Sequence, residues 1–299
     1  MAQQQSIKSA SDAGPLRFWQ RMSVQRLAGR LLLHAILILL GITFMVPLLW
    51  TLSTSFKHPG QVFTRPIQWI PQTLRWSNYQ EVWTILPMPL FIRNTMVISV
   101  TALIGTLLST SLCGYSFARL RWPGREKVFA LVIGTMMLPG AVLLVPQFVL
   151  FRSLGWIDTF FPLIVPAWLG GGAFYIFLYR QFCSNIPYEM DEAAIMDGAG
   201  YFRIFWQIIL PLTRPALITI GLFSFLSHYN DFMGPLIYLN SNRNYTLSLG
   251  LRMYQGRFGY DWHWVMAASV ITVAPVIVIF FLAQEQFIAG VQLTGLAGR

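Results

Sequence analysis

The sequence predicts an all-α, polytopic membrane protein with six transmembrane helices, and three observations carry that prediction. Of 299 residues, 55% are hydrophobic and only 11% are charged, whereas soluble domains carry about 25% charged residues. Residues 31–56, 94–118, 128–151, 159–179 and 262–284 contain no Asp, Glu, Lys or Arg, and roughly 20 apolar residues suffice to cross a hydrocarbon core as a helix. A shorter run at 215–230 extends back through 208–211 with only Arg214 interrupting. Barrel strands alternate in polarity and would not give apolar runs of this length.

The net charge of +10 raises the possibility of nucleic acid or anionic lipid, but its distribution favours a topological origin. With the N-terminus inside, the inner segments take most of the 21 basic residues. The short 119–127 connection alone holds Arg119, Arg121, Arg125 and Lys127 against the single acid Glu126. Such a positive-inside bias places both termini in the cytoplasm. No soluble face gathers the charge as a nucleic-acid site requires. The polar first 30 residues do not read as a cleavable signal peptide. Cys113 and Cys183 fall near inner helix ends and are expected to be reduced and packed.

Taken in order, residues 1–30 form a basic tail, with Trp19 at a headgroup-like position and an interfacial helix possible from Arg17 onward. Residues 31–290 form the membrane domain. After the first span, an outer segment at 55–89 is punctuated by Pro59, Pro66, Pro71, Pro87 and Pro89. It should be irregular with short interfacial helices. Its Trp69, Trp76, Tyr79 and Trp83 read as interface anchors. The third span carries Pro139-Gly140 and Pro146, the fourth Pro162, Pro166 and Gly170-Gly171-Gly172, and the sixth Pro275. Singly, such residues serve close packing. As a set they support a protein that moves, and Pro139, Gly140, Gly170, Gly171, Gly172 and Pro275, with Asn230 and Asp231 after the fifth span, are the candidate pathway residues, because paired helix interruptions accompany translocation sites. The third and fourth spans are joined by a short loop at 153–158, and a second outer segment covers 231–261. A tail at 291–299 closes the chain.

Several chemistries are absent from the sequence. No Gly-x-x-x-x-Gly-Lys-Ser/Thr segment could cradle nucleotide phosphates. The second, third, fourth and sixth spans hold no Asp, Glu, Lys or Arg, where an ion-coupled carrier would place an ionisable group. His34 and His228 are read as packed or interfacial. No catalytic residue and no metal-ligand set is predicted, and the chain is not expected to be an enzyme.

The most informative segment is the polar stretch 185–207 between the fourth and fifth spans. Asn185 reads as an N-cap, Pro187 as a first-turn residue, and Glu189, Asp191 and Glu192 suit a positive helix end. The helix should end at Gly198 and Gly200. Ala193, Ala194 and Gly198 would give one side a low profile for a docking protein. Residues 201–205 then form a second turn, and two short helices linked to two spans make a lever.

This segment resembles the cytoplasmic signature of the membrane-spanning permease subunits of binding-protein-dependent ABC importers. That signature is met at Glu192, Ala193, Ala194, Gly198, Ile208, Leu210 and Pro211, with the common Asp at Asp197. A narrower resemblance to the carbohydrate-uptake branch, the maltose- and glycerol-phosphate-type permeases, rests on Asn230-Asp231-Phe232, Pro235-Leu236, Ala267, Pro275, Phe280, Gln284 and residues 287–290. The end of the chain departs from that branch's closing motif. The resemblance implies a type I importer fold in a bacterial or archaeal cytoplasmic membrane. It also implies a second homologous permease, two copies of a cytoplasmic ATPase that holds ATP and Mg, and an extracytoplasmic binding protein delivering a sugar. No cofactor would be bound by this chain. By the same resemblance Glu192 would anchor the docking helix, Gly198 would permit its turn and Asp197 would cap the next. A permease for a non-sugar solute, an ion-coupled secondary carrier and a purely structural subunit are the competing readings.

Overall fold

A computed structural model describes the backbone of residues 16–257 and 261–296, and the side chains of residues 27, 29–254 and 261–284. The expected environment of Trp19, the resemblance at residues 287–290 and the role of the tail at 291–299 lie outside the described side chains. The described chain is almost entirely helical, as α1 (Leu16–Ser55), α2 (Ser77–Ile85), α3 (Met88–Arg119), α4 (Arg125–Thr135), α5 (Gly140–Ser153), α6 (Phe161–Trp168) and α7 (Ala173–Ser184). There follow α8 (Glu189–Met196), α9 (Tyr201–Ile204), a π-turn at Phe205–Ile209, α10 (Leu210–Leu212), α11 (Arg214–Tyr229), α12 (Met233–Tyr238), α13 (Leu247–Arg257) and α14 (Trp262–Leu296).

Four stretches are long and apolar enough to span a membrane unaided: Gly29–Ser55, Met88–Arg119, Phe161–Ser184 and Trp262–Gln284. Two further pairs reach that length only together and are sharply bent, α4 with α5 by 100° and Tyr201–Leu212 with α11 by 76°. Six spans are therefore present if each bent pair counts as one, but the third is not the straight helix its uninterrupted apolar run suggests. Pro139 has no N–H to continue the helix and biases the preceding residue away from helical angles. It takes an extended conformation, φ −64° and ψ 129°, and α5 restarts at Gly140. Likewise, 208–211 does not prolong the fifth span in a line. It sits on a separate arm that meets α11 at Thr213.

The third helix, α3, is the axis of the bundle, packed against α6, α7 and α11, while α1 lies on α14. Its inward positions are small or hydroxylic, including Ala102, Gly105, Thr106, Thr110 and Gly114, and all are buried. In lipid no hydrophobic force draws helices together, so close backbone approach and interhelical hydrogen bonds do that work. A Cβ on Gly105 would fall 2.6 Å from Trp168 Cγ, and one on Gly114 2.8 Å from Tyr179 Cδ1. Ser224 donates to Thr106 Oγ1 at 3.1 Å, and the Tyr229 hydroxyl donates to the Thr272 carbonyl at 2.8 Å. By contrast, the spanning part of α1 buries almost nothing within the chain.

The connecting segments expected on the outer side are more ordered than a loop. The 55–89 stretch folds as a short 3-10 turn and α2, held by Asn78, whose amide donates to the carbonyls of Ser55 and Lys57 at 2.8 and 2.9 Å. Asp158, at φ +60°, fastens the α5–α6 loop to the segment before α13. Its Oδ1 accepts the Asn240 and Ser241 amides at 2.9 and 2.8 Å and its Oδ2 accepts the Ser241 hydroxyl. Hydrogen bonding from Ser241, with further backbone and Asn244 donors, holds the Asp158 carboxyl far below the usual carboxylate range. Both cysteines are free thiols, Cys183 buried and Cys113 half-buried.

Candidate functional site

The 185–207 segment is built as a rigid bracket. Three acids, Glu189, Asp191 and Glu192, occupy the first turn of α8, where carboxylates complement the exposed N–H groups. The helix closes in a Schellman turn: Gly198 donates to the Ile195 carbonyl and Ala199 to the Ala194 carbonyl, both at 2.9 Å. Gly198 sits at φ +81°, a conformation that glycine adopts without the Cβ clash other residues suffer. Two sequence expectations need correcting. Asn185 is the C-cap of α7, its N–H bonded back to Phe182, and Tyr188 precedes α8 instead. Asp197 is the C-cap of α8, and α9 begins after Gly200 in extended backbone. The turn between them is too tight for Asp197 to be both.

Burial separates the signature into two faces. Asp191 and Ala194, one helical turn apart, face the chain's own core, whereas Glu192, Ala193, Asp197 and Gly198 are exposed. Ala194 packs with Tyr115, Cys183 and Ile204, so its small size serves internal packing. Ile208 and Leu210 are half-buried against the same cluster, Pro211 is exposed, and the neighbouring Ile209 is fully buried. The outward surface is apolar: Met196 is 88% and Phe202 72% exposed, with Ile195, Tyr201 and Trp206 beside them.

What sequence reasoning missed is the seat of the bracket. Arg119, the last residue of α3, lies almost wholly buried with Nη1 3.7 Å from Asp191 Oδ2. Its Nη2 donates to the Ile186 carbonyl at 2.5 Å, and its guanidinium lies 4.5 Å over the Tyr188 ring. The Tyr188 hydroxyl donates to the Ala118 carbonyl at 2.9 Å, and Tyr115 to the Tyr201 carbonyl at 3.0 Å. Burial pushes the Asp191 carboxyl above its ordinary value, with Arg119 pulling the other way. In the sequence Arg119 is one more inner-side positive charge, and no spacing rule joins it to a residue so distant. Its high burial is a tertiary fact.

At the opposite end of α7 lies a cavity of about 690 Å³. It brings together Gly140, Gly171, Gly172 and Asp231 from the expected pathway set. Pro139, Gly170 and Asn230 flank those positions without lining the cavity, and Pro275 lies within α14, away from its walls. Gln147, Ser227, His228 and Tyr238 complete the polar lining. The Asp231 Oδ1 accepts the Gly234 N–H at 3.1 Å, and burial raises its carboxyl above the usual range. His228 Nδ1 lies 2.7 Å from the Ser224 carbonyl oxygen, so that nitrogen carries a proton. Among the described residues no group of His, Cys, Asp and Glu is arranged to hold a metal.

Residues 110–292 match the family described as binding-protein-dependent transport system inner membrane component. The chain belongs to this family. Among its relatives, it is 32% identical over 259 residues to the diacetylchitobiose uptake system permease protein of Streptomyces coelicolor, covering 86% of this chain and 85% of that one. It is 31% identical to the trehalose/maltose transport system permease protein of Thermococcus litoralis, across 90% and 97% of the two chains. The fold agrees with a subunit of a bacterial ABC transporter importing the acidic polysaccharide alginate, at a TM-score of 0.77 and 24% identity, covering 87% of this permease and 98% of that chain. That likeness carries the type I importer architecture.

Proposed function

We propose that this permease passes a sugar or sugar derivative, delivered by an extracytoplasmic binding protein, through a pathway it forms with a second, homologous permease. Two copies of a cytoplasmic ATPase, holding ATP and Mg, would drive it, one docking on the 185–207 bracket. The single observation that carries the docking is the bracket's surface. An exposed patch of Ile195, Met196, Tyr201, Phe202 and Trp206 on the segment that also exposes Glu189 and Glu192 is what a soluble partner buries, because apolar exposure of this kind marks interaction sites. The sugar class follows from the uptake systems named for its relatives and from the polar lining of the cavity.

The bracket would sit in the cytoplasm with both termini, and residues 31–290 would make up the membrane domain. Ordering or closure of the ATPase pair would shift the permease between states only through differential contact with this bracket. Arg119 is the route by which that contact reaches α3, since it ties α8 to the axis of the bundle. The test is Gly198→Leu. None of the described residues comes within 4 Å of a Cβ at that position, so the side chain would project toward the partner and the backbone strain would stay local. Membrane insertion is expected to persist while ATP-driven uptake and co-purification of the ATPase are lost. Full ATP-driven uptake by this variant would sink the docking assignment.

A further inference from the structure

The connection between α3 and α4 holds more positive charge than its neighbours neutralise. Arg121, Arg125 and Lys127 line a cavity of about 360 Å³ together with Trp122, Gly124 and Glu126. The one carboxylate in that wall is already engaged. Glu126 Oε1 accepts Arg125 Nε at 2.9 Å, and Arg180 Nη2 reaches both carboxylate oxygens at 3.1 Å. Arg125 also donates to the Leu120 carbonyl at 3.0 Å. Arg121 and Lys127 are exposed and form no ion pair among the described residues. With Arg180 included, four cations stand against Glu126 alone, and the positive charge is left in excess.

The surface beside this charge is apolar. Gly124, Lys127, Val128 and Leu131 follow the i, i+3, i+4, i+7 spacing that puts residues on one helix face. The cavity residues Gly124 and Lys127 therefore continue along α4 into Val128 and Leu131, both exposed. Phe129 turns the other way, into a core with Phe117 and Ile176. Trp122 is half-buried at the cavity wall, its indole N–H donating to Ser116 Oγ at 3.2 Å, and such a ring suits headgroup depth. A general excess of basic residues on one side of a membrane requires no cavity. Here the charge is gathered in one at the end of a span, with an apolar strip leading away from it. Basic pockets between spans bind anionic lipid headgroups. A soluble anion would meet the cations but leave the strip unused, and a zwitterionic headgroup would bring its own ammonium against them.

We propose that the α3–α4 connection binds the headgroup of an anionic phospholipid, with Arg121 and Lys127 holding its phosphate and its acyl chains lying along Val128 and Leu131. The cavity shares Arg121 and Trp122 with a second one, lined also by Arg119, Tyr188 and Asp191, so the bound lipid sits next to the seat of the bracket. The site goes beyond the transport reading and needs only that the chain spans a membrane.

The experiment uses the complete importer in nonionic detergent, with native mass spectrometry following retention of phosphatidylglycerol and of phosphatidylethanolamine with identical acyl chains. The unaltered complex is expected to prefer phosphatidylglycerol by about tenfold or more, since each basic side chain near an anionic lipid contributes roughly fivefold. Arg121→Gln combined with Lys127→Gln should bring the two lipids to near parity. The charge-keeping exchange, Arg121→Lys with Lys127→Arg, should retain the preference, as should Arg152→Gln at the far end of α5, where the arginine is also exposed. Equal retention of the two lipids by the unaltered complex would overturn the proposal, and so would a preference that survives the double Gln variant. Displacement of phosphatidylglycerol by glycerol 3-phosphate at equal concentration would make this a site for a soluble anion instead. If the double variant sheds the ATPase while keeping its lipid, the surface belongs to the motor and the proposal falls.

Discussion

Replacing either half of the Arg119–Asp191 pair tests how the bracket is held. The two charged atoms lie 3.7 Å apart with side chains 1% and 10% exposed. At an effective dielectric of 20 that separation corresponds to about 4.5 kcal/mol of attraction. The net value of the pair is smaller, because burial of both groups opposes it and Asp191 Oδ1 and Arg119 Nε have no hydrogen-bond partners among the described residues. Removing one partner is a different perturbation, since it strands a buried charge at a cost of about 3–5 kcal/mol. Asp191→Leu should fall near 3, because Arg119 keeps the Ile186 carbonyl and the Tyr188 ring. Arg119→Met should fall near 5, because it loses both contacts and strands Asp191. The double variant, with both charges replaced by apolar side chains of similar length, should recover about 2 kcal/mol or more relative to the sum. Reversible unfolding in mixed micelles, followed across the four proteins, gives the coupling directly. Additivity within about 0.5 kcal/mol would refute the reasoning and reduce the pair to two independent packing contacts.

Gly105→Ala should destabilise the fold by about 1–3 kcal/mol, as overpacked cores do. The added methyl meets Trp168, whose ring cannot withdraw while Nε1 donates to the Thr101 carbonyl at 3.1 Å; an unchanged thermal midpoint would count against this helix contact. Asp158→Asn should cost about 1–3 kcal/mol through lost charge-assisted hydrogen bonds, while asparagine tolerates the positive φ. The Asp158 carboxyl is depressed in the folded state, so its contribution is fully present above the ordinary aspartate value near 4 and fades as pH falls below it. Unfolding measured between about pH 5 and 2 should therefore show an acid-dependent loss in the unaltered protein that the asparagine variant lacks.

Much of this molecule was legible in one dimension because lipid imposes a simple rule. A spanning segment must satisfy its own backbone hydrogen bonds and present apolar side chains, so charge-free runs locate the spans whatever they pack against. The Gly198 turn was equally local: a positive φ after a short acidic helix needs glycine, and the sequence shows one there. The bends were not. Pro139-Gly140 announces a break, yet the 100° angle depends on where α4 and α5 each find neighbours. The two faces of α8 were also undecided, since Ala193 and Ala194 are indistinguishable in sequence and only docking against Tyr115 and Cys183 turns one inward. Arg119 shows the limit most clearly. Composition determined that it lies at the basic end of a span, but only the folded bundle decided that its charge is buried beneath the bracket, because contacts between distant residues follow from helix packing and leave no periodic trace along the chain.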